Sequence, residues 1–151
     1  MKIKPFVFFI IILMVTSCGF SPIYDSQNKI NYKIVVIEIK GDRYLNNIIK
    51  NEIKSISNLN SEKVIKLKLN TIYEKTIISK DSKGTASEYE IKVKSMFAIE
   101  NFNNKILVFD ESQILKNTSN IFQQKNYENT IKANFASSIV RKLKLSLVDI
   151  R

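Results

Sequence analysis

The chain predicts an α+β fold: a two-layer sandwich in which a four-stranded mixed sheet carries two helices on one face. Three observations predict it. Apolar and polar residues alternate over short runs, the period of strands with one exposed face. Two other runs switch to helical spacing, one early in the chain and one at its C-terminal end. The resulting order is β-α-β-β-β-α, in which a helix joins the first two strands by a right-handed crossover and the last three strands form a meander. Alternation leaves one sheet face wet, so both helices belong on the other. No internal repeat and no second domain is present, and residues 31–151 read as a single domain.

The first strand is Lys33-Ile34-Val35-Val36-Ile37-Glu38-Ile39, β-branched, short, bounded by Gly41 and expected to be mostly buried. Asp42 is placed to N-cap the following helix, where Tyr44, Leu45, Ile48, Ile49, Ile53 and Ile56 recur at helical spacing up to about Ser57. Residues 58–61 are a loop. Ile65, Leu67 and Leu69 then alternate with Lys66, Lys68 and Asn70 in a second strand that continues to Ile78. A phase slip at Thr71-Ile72 predicts a bulge there. Asp81-Ser82-Lys83-Gly84 is a turn.

In the third strand Tyr89, Ile91, Val93, Phe97 and Ile99 alternate with Glu88, Glu90, Lys92 and Lys94. Residues 101–105 form a second turn, and Ile106 to Leu115 the fourth strand. After Asn120 the period is helical again. Tyr127, Ile131, Phe135, Ile139, Leu143, Leu147 and Ile150 make one stripe, widened by Ala136, Val140 and Val148. Phe97, Phe109, Phe135 and Tyr127 all fall on faces assigned to the core.

Ahead of this domain stands a different kind of segment. Lys2 and Lys4 precede an apolar run from Phe6 to Val15, followed by Thr16-Ser17-Cys18. Basic start, apolar middle and small residues are the layout of a secretory signal. The run is short of the roughly 20 apolar residues a spanning helix needs. Val15-Thr16-Ser17-Cys18 resembles the lipobox of bacterial lipoproteins. Residues 1–17 are then a signal peptide, Cys18 the lipidated N-terminus, and residues 18–30 a tether. Two or more acyl chains hold a membrane stably where one does so only marginally.

The remaining composition narrows the chemistry. The chain has formal charge +10 and no histidine. That removes the commonest general base and the most versatile metal ligand. Cys18 is the lone cysteine, and once lipidated it offers neither a nucleophile nor a disulfide. Gly19, Gly41 and Gly84 are isolated, so no phosphate-cradling loop exists. Asp110 and Glu111 are strand neighbours and point to opposite faces. Glu88 and Glu90 share a face that Lys92 and Lys94 continue, as on a solvated strand. Neither a catalytic residue, nor a metal site, nor a cofactor is expected, and export argues against a nucleic-acid partner. Of 24 basic residues all but Arg43, Arg141 and Arg151 are lysine, a composition that serves solubility as readily as phosphate binding.

Cys18-Gly19-Phe20-Ser21-Pro22-Ile23-Tyr24 resembles the start of the mature outer-membrane LPS-assembly lipoproteins (LptE) of alphaproteobacterial type. Thr85-Ala86-Ser87-Glu88-Tyr89-Glu90-Ile91 is similar to the opening of that family's third strand, and the C-terminal helix with Arg141 also fits. The resemblance implies a lipid-anchored, non-enzymatic protein of the outer membrane. It would face the periplasm or sit within the lumen of a large β-barrel LPS-assembly protein, and would bind lipopolysaccharide. Spacing and exposure, not the resemblance, select Lys80, Lys83, Lys92 and Lys94 as candidate lipopolysaccharide contacts, since ammonium groups meet phosphates as point charges. The competing expectation is a free-standing periplasmic lipoprotein that binds an anionic lipid, a peptide or a cell-wall polymer.

Overall fold

The computed structural model describes residues 30–101 and 105–148, so Cys18 and Ile150 lie outside the described residues. Six elements follow one another: β1 (Lys33–Gly41), α1 (Arg43–Ile56), β2 (Val64–Lys80), β3 (Ala86–Ile99), β4 (Lys105–Lys116) and α2 (Ile121–Val148). The sheet order is β1-β2-β3-β4. β1 and β2 are parallel, and the other two pairs are antiparallel. This is the expected α+β sandwich, with an open sheet.

The core forms where the alternating strands meet the helical stripes. Ile65, Leu67 and Leu69 of β2 and Ile91, Val93, Phe97 and Ile99 of β3 lie beneath Leu45, Ile49 and Ile53 of α1 and Ile131, Phe135, Ile139 and Leu143 of α2. Phe97, Ile65, Leu67 and Ile139 are fully buried, each stabilising the fold by about 1.5–3 kcal/mol. Ile30 is also buried, and its N–H donates to the Ile56 carbonyl at 2.9 Å.

Local chemistry sets the boundaries. Asp42 caps α1 through Oδ1, which accepts from the Leu45 N–H at 2.8 Å. Gly41 ends β1 with φ +89°, and a Cβ there would sit 1.9 Å from the Thr71 carbonyl oxygen. Only glycine lets the strand approach β2 so closely before turning into the helix. In the β2–β3 turn, Asp81 Oδ1 accepts from the Lys83 and Thr85 N–H groups, both at 2.9 Å, and Gly84 takes φ +80°. Asn120 Oδ1 accepts from the Phe122 and Gln123 N–H groups at 3.0 and 3.1 Å and caps α2.

Four expectations are corrected. No bulge interrupts β2 at Thr71-Ile72, because pairing with β3 runs unbroken from Leu67 to Ile77. Thr71 holds the core position that alternation assigns to it, with Oγ1 3.2 Å from Ser95 Oγ across the strand pair. Each hydroxyl satisfies the other in a place where an orphan would be costly. Ile72 consequently turns to the outer face, 41% exposed. Register shifts occur instead between Val36 and Glu38 and between Ile77 and Lys80.

β1 is not mostly buried: it lies at the sheet edge, and Val35, Ile37 and Ile39 are exposed. Tyr127 and Val148 are not core residues but are 52% and 60% exposed. The 28 residues of α2 outreach the 14 of α1. At 1.5 Å rise per residue that excess is about 20 Å, so the ends of α2 run past its packing partner.

Candidate functional site

The outer sheet face is the surface the helices leave uncovered. Cross-strand rows place Glu74, Lys92 and Ser112 side by side, then Ile72, Lys94 and Asp110. These six line a shallow cleft of about 370 Å³. Toward β1 the face becomes an ion-pair ladder: Lys40 to Glu38 at 2.7 Å, Glu38 to Lys68 at 3.7 Å, and Lys68 to Glu100 at 2.7 Å. The hydrogen bond from Lys40 lowers the Glu38 carboxyl, and that to Glu100 raises the Lys68 ammonium. Ile106 and Val108 of β4 add exposed apolar area beside Met96 and Ala98.

The four candidate lysines fall in two places. Lys92 and Lys94 stand on the outer face, and Lys92 pairs with Glu90 at 2.9 Å. Lys94 has no carboxylate within ion-pair distance among the described residues, although its β4 neighbour is Asp110. Lys80 ends β2, opposite Ala86, and Lys83 lies in the turn beyond it. Both are exposed. Lys92 lies six residue steps along β3 from Ala86, a span of about 20 Å at strand rise. The two pairs therefore cannot grip one phosphate together, but can meet two anionic groups of an extended ligand. Asp110 and Glu111 do point apart, as alternation requires. Glu111 turns under α2, with Oε1 2.7 Å from Lys142 Nζ. Burial pushes its carboxyl up, but hydrogen bonds from Lys142 and Ser138 outweigh that and lower it.

The most heavily bonded polar cluster lies on the helix face and was not anticipated from the sequence. Glu128 of α2 accepts from the Tyr73 hydroxyl at 2.6 Å and from Lys75 at 2.7 Å, and pairs with Lys132 at 3.0 Å. Lys132 Nζ lies 3.8 Å from the Tyr73 ring centroid, and Lys75 Nζ lies 4.5 Å from that of Tyr89. Burial pushes the Glu128 carboxyl up, yet the bonds from Lys75, Tyr73 and Lys132 bring it down to about 2. The Tyr73 hydroxyl is raised above its ordinary range, first by burial and then by Glu128. Only the Glu128–Lys132 spacing was legible as an i,i+4 pair; its contact with β2 is tertiary. Every group is engaged by a neighbour, so the cluster pins α2 to the sheet.

Among the described residues no group of three or more metal-ligating side chains occurs, and no helix is long and apolar enough to cross a membrane. No family model and no curated protein matches the sequence. Solved structures do match the fold. A rare lipoprotein B from Shewanella oneidensis is 12% identical with TM-score 0.55, covering 77% of this chain and 98% of its own. A minor lipoprotein from Acinetobacter baumannii is 13% identical with TM-score 0.52, covering 78% and 94%. A lipoprotein B from Nitrosomonas europaea is 16% identical with TM-score 0.50, covering 79% and 86%. At such low identity the likeness is one of architecture, and the conclusion it carries is that this chain has the fold of these bacterial lipoproteins.

Proposed function

We propose that this chain is a non-enzymatic outer-membrane lipoprotein, anchored through Cys18, that partners a large β-barrel protein in assembling and transporting lipopolysaccharide. One observation carries the reading. A domain with the fold of bacterial lipoproteins follows directly on a lipobox cysteine and the string Gly19-Phe20-Ser21-Pro22-Ile23-Tyr24. The outer sheet face supports it, because paired charges with exposed Ile72, Ile106 and Val108 between them suit the polar wall of a barrel lumen. Lys80 and Lys83 would meet one phosphate-bearing part of lipopolysaccharide, and Lys92 and Lys94 another.

The test is a mild-detergent pull-down of the tagged full-length protein from its own outer membranes. A co-purifying β-barrel protein near one-to-one stoichiometry is expected. Recovery of the lipidated protein alone would overturn the reading in favour of a free-standing binding module. In the complex, Lys80→Glu with Lys83→Glu should weaken lipopolysaccharide binding at least several-fold, and unchanged binding would remove those two lysines from the site.

A further inference from the structure

The end of the sandwich at the β2–β3 turn carries large apolar side chains left open to solvent among the described residues. Ile77 and Ile78, near the end of β2, are 53% and 45% exposed, and Ile114 near the end of β4 is 55% exposed. Beside them α2 opens with Ile121 and Phe122, 78% and 82% exposed. Asn117 ties this opening to the sheet: its N–H donates to the Ser87 carbonyl at 2.8 Å, and its Nδ2 to that of Ala86 at 2.6 Å. Single apolar residues on a surface are ordinary, but a group of them gathered at one end marks a contact.

Positive charge surrounds the group. Lys80 and Lys116 end β2 and β4, Lys83 lies in the turn, and Lys125 stands one helical turn after Ile121 and Phe122. All four are exposed, and none has a carboxylate within ion-pair distance among the described residues. Of the nearby acids, Asp81 Oδ1 accepts from the Lys83 and Thr85 N–H groups, Glu88 is half-buried, and Glu90 is paired with Lys92.

Apolar side chains ringed by unpaired ammonium groups match the layers of an anionic bilayer, with the acyl boundary beneath and phosphates above. They do not match the polar lumen of a barrel. A second copy of this chain is disfavoured, because end-to-end contact would set these lysines against their equivalents. Reach also permits the bilayer. Val64, which pairs with Lys33 at the start of β1, lies about 43 Å from Ile77 at strand rise. The chain from Cys18 to Ile30 spans at most about 43 Å. A leaflet that holds lipidated Cys18 is therefore within reach of this end when the domain lies along it.

We propose that this end of the sandwich is a second membrane contact, which enters the headgroup region of an anionic phospholipid leaflet with its apolar side chains inward and its lysines on the phosphates. The proposal rests on the lipid anchor at Cys18 and not on the barrel partner or on lipopolysaccharide.

The experiment anchors the full-length lipidated protein in vesicles free of lipopolysaccharide, with a fluorophore on the Ser119→Cys variant. Ser119 is exposed, and acylation of Cys18 leaves the introduced thiol as the reactive one. Nitroxide-labelled lipids quench a fluorophore that enters the headgroup region. Quenching is expected in phosphatidylcholine with about one-third phosphatidylglycerol, falling at least about five-fold in phosphatidylcholine alone or at high salt. Ile121→Ser with Phe122→Ser, and separately Lys116→Gln with Lys125→Gln, should each lower it by a similar factor. The far-UV circular dichroism should stay unchanged, since all four side chains are exposed. Quenching that ignores phosphatidylglycerol or survives the serine variant would overturn the proposal. So would a fluorophore shielded only in a complex with a co-purifying protein. Loss of the protein from washed vesicles would overturn the Cys18 anchor and the proposal with it. The lipopolysaccharide reading is tested separately, by Lys80→Glu with Lys83→Glu, and stands or falls on that result.

Discussion

Replacing Glu128 by glutamine removes the anion on which Tyr73, Lys75 and Lys132 converge. The side chains of Glu128, Lys132 and Lys75 are 17%, 12% and 28% exposed, so the cluster sits between surface and core. Glu128 titrates at about 2 instead of 4.5. At 1.36 kcal/mol per pH unit that displacement is about 3 kcal/mol, which solvent contact reduces to about 2 kcal/mol. The value falls between the ~0–1 kcal/mol of exposed ion pairs and the ~3–5 kcal/mol lost when one partner of a buried pair is removed.

Urea unfolding of the full-length protein in detergent at pH 7, followed by far-UV circular dichroism, measures it. A lower midpoint at unchanged m-value is expected. The sign of the pH dependence follows from a carboxyl lowered by folding. Its contribution is fully present above 4.5 and is lost as pH falls toward about 2. The stability gap between the native chain and Glu128→Gln should therefore close over that window. A cost below about 0.5 kcal/mol at pH 7, the level of ordinary surface changes, would refute the idea that this cluster pins α2. So would Lys132→Met costing the same in both backgrounds, since partners in one network must couple.

Gly41→Ala combines a positive φ with a Cβ 1.9 Å from the Thr71 carbonyl oxygen; a loss of at least about 2 kcal/mol is expected by denaturant titration. Thr71→Val alone leaves Ser95 Oγ buried without its partner and should cost about 1–2 kcal/mol. Adding Ser95→Ala should recover much of that loss in the same assay, because removing both partners is nearly neutral. Asn120→Ala removes the cap of α2 and should cost about 1 kcal/mol, with faster amide exchange at Phe122 and Gln123.

The architecture was legible because its signals are local. Strand alternation in Lys66–Asn70 and Glu88–Lys94 identified the outer face, and the spacing of Leu45, Ile49 and Ile53 located the buried stripe of α1. Asp42 and the Asp81–Gly84 turn act through hydrogen bonds within a few residues, so their roles could be read directly. Thr71 misled because a hydroxyl in a core position breaks the apolar pattern. What makes that position tolerable, Ser95 Oγ, lies 24 residues away. Tyr127 misled for a related reason: helical spacing says which face it shares, not whether a neighbour extends far enough to cover it.

The candidate site divides in the same way. The exposure of Lys80, Lys83, Lys92 and Lys94 followed from turn chemistry and period-two alternation, which the sequence alone determines along with fold class and element order. Their separation into two pairs was decided by the tertiary structure, through the Lys80–Ala86 register and the length of β3 between them. Tertiary structure also decided which lysines are neutralised, bringing Glu90 to Lys92 and Glu100 to Lys68 while leaving Lys94 without an ion pair among the described residues. It joined Glu128 to Tyr73 across 55 residues and set Lys50 and Lys54 beside Ile34 and Val35 of β1. The physical reason is range. Periodicity, capping and turn preference act within about one turn of chain, whereas charge pairing, burial and edge exposure depend on which strands and helices become neighbours.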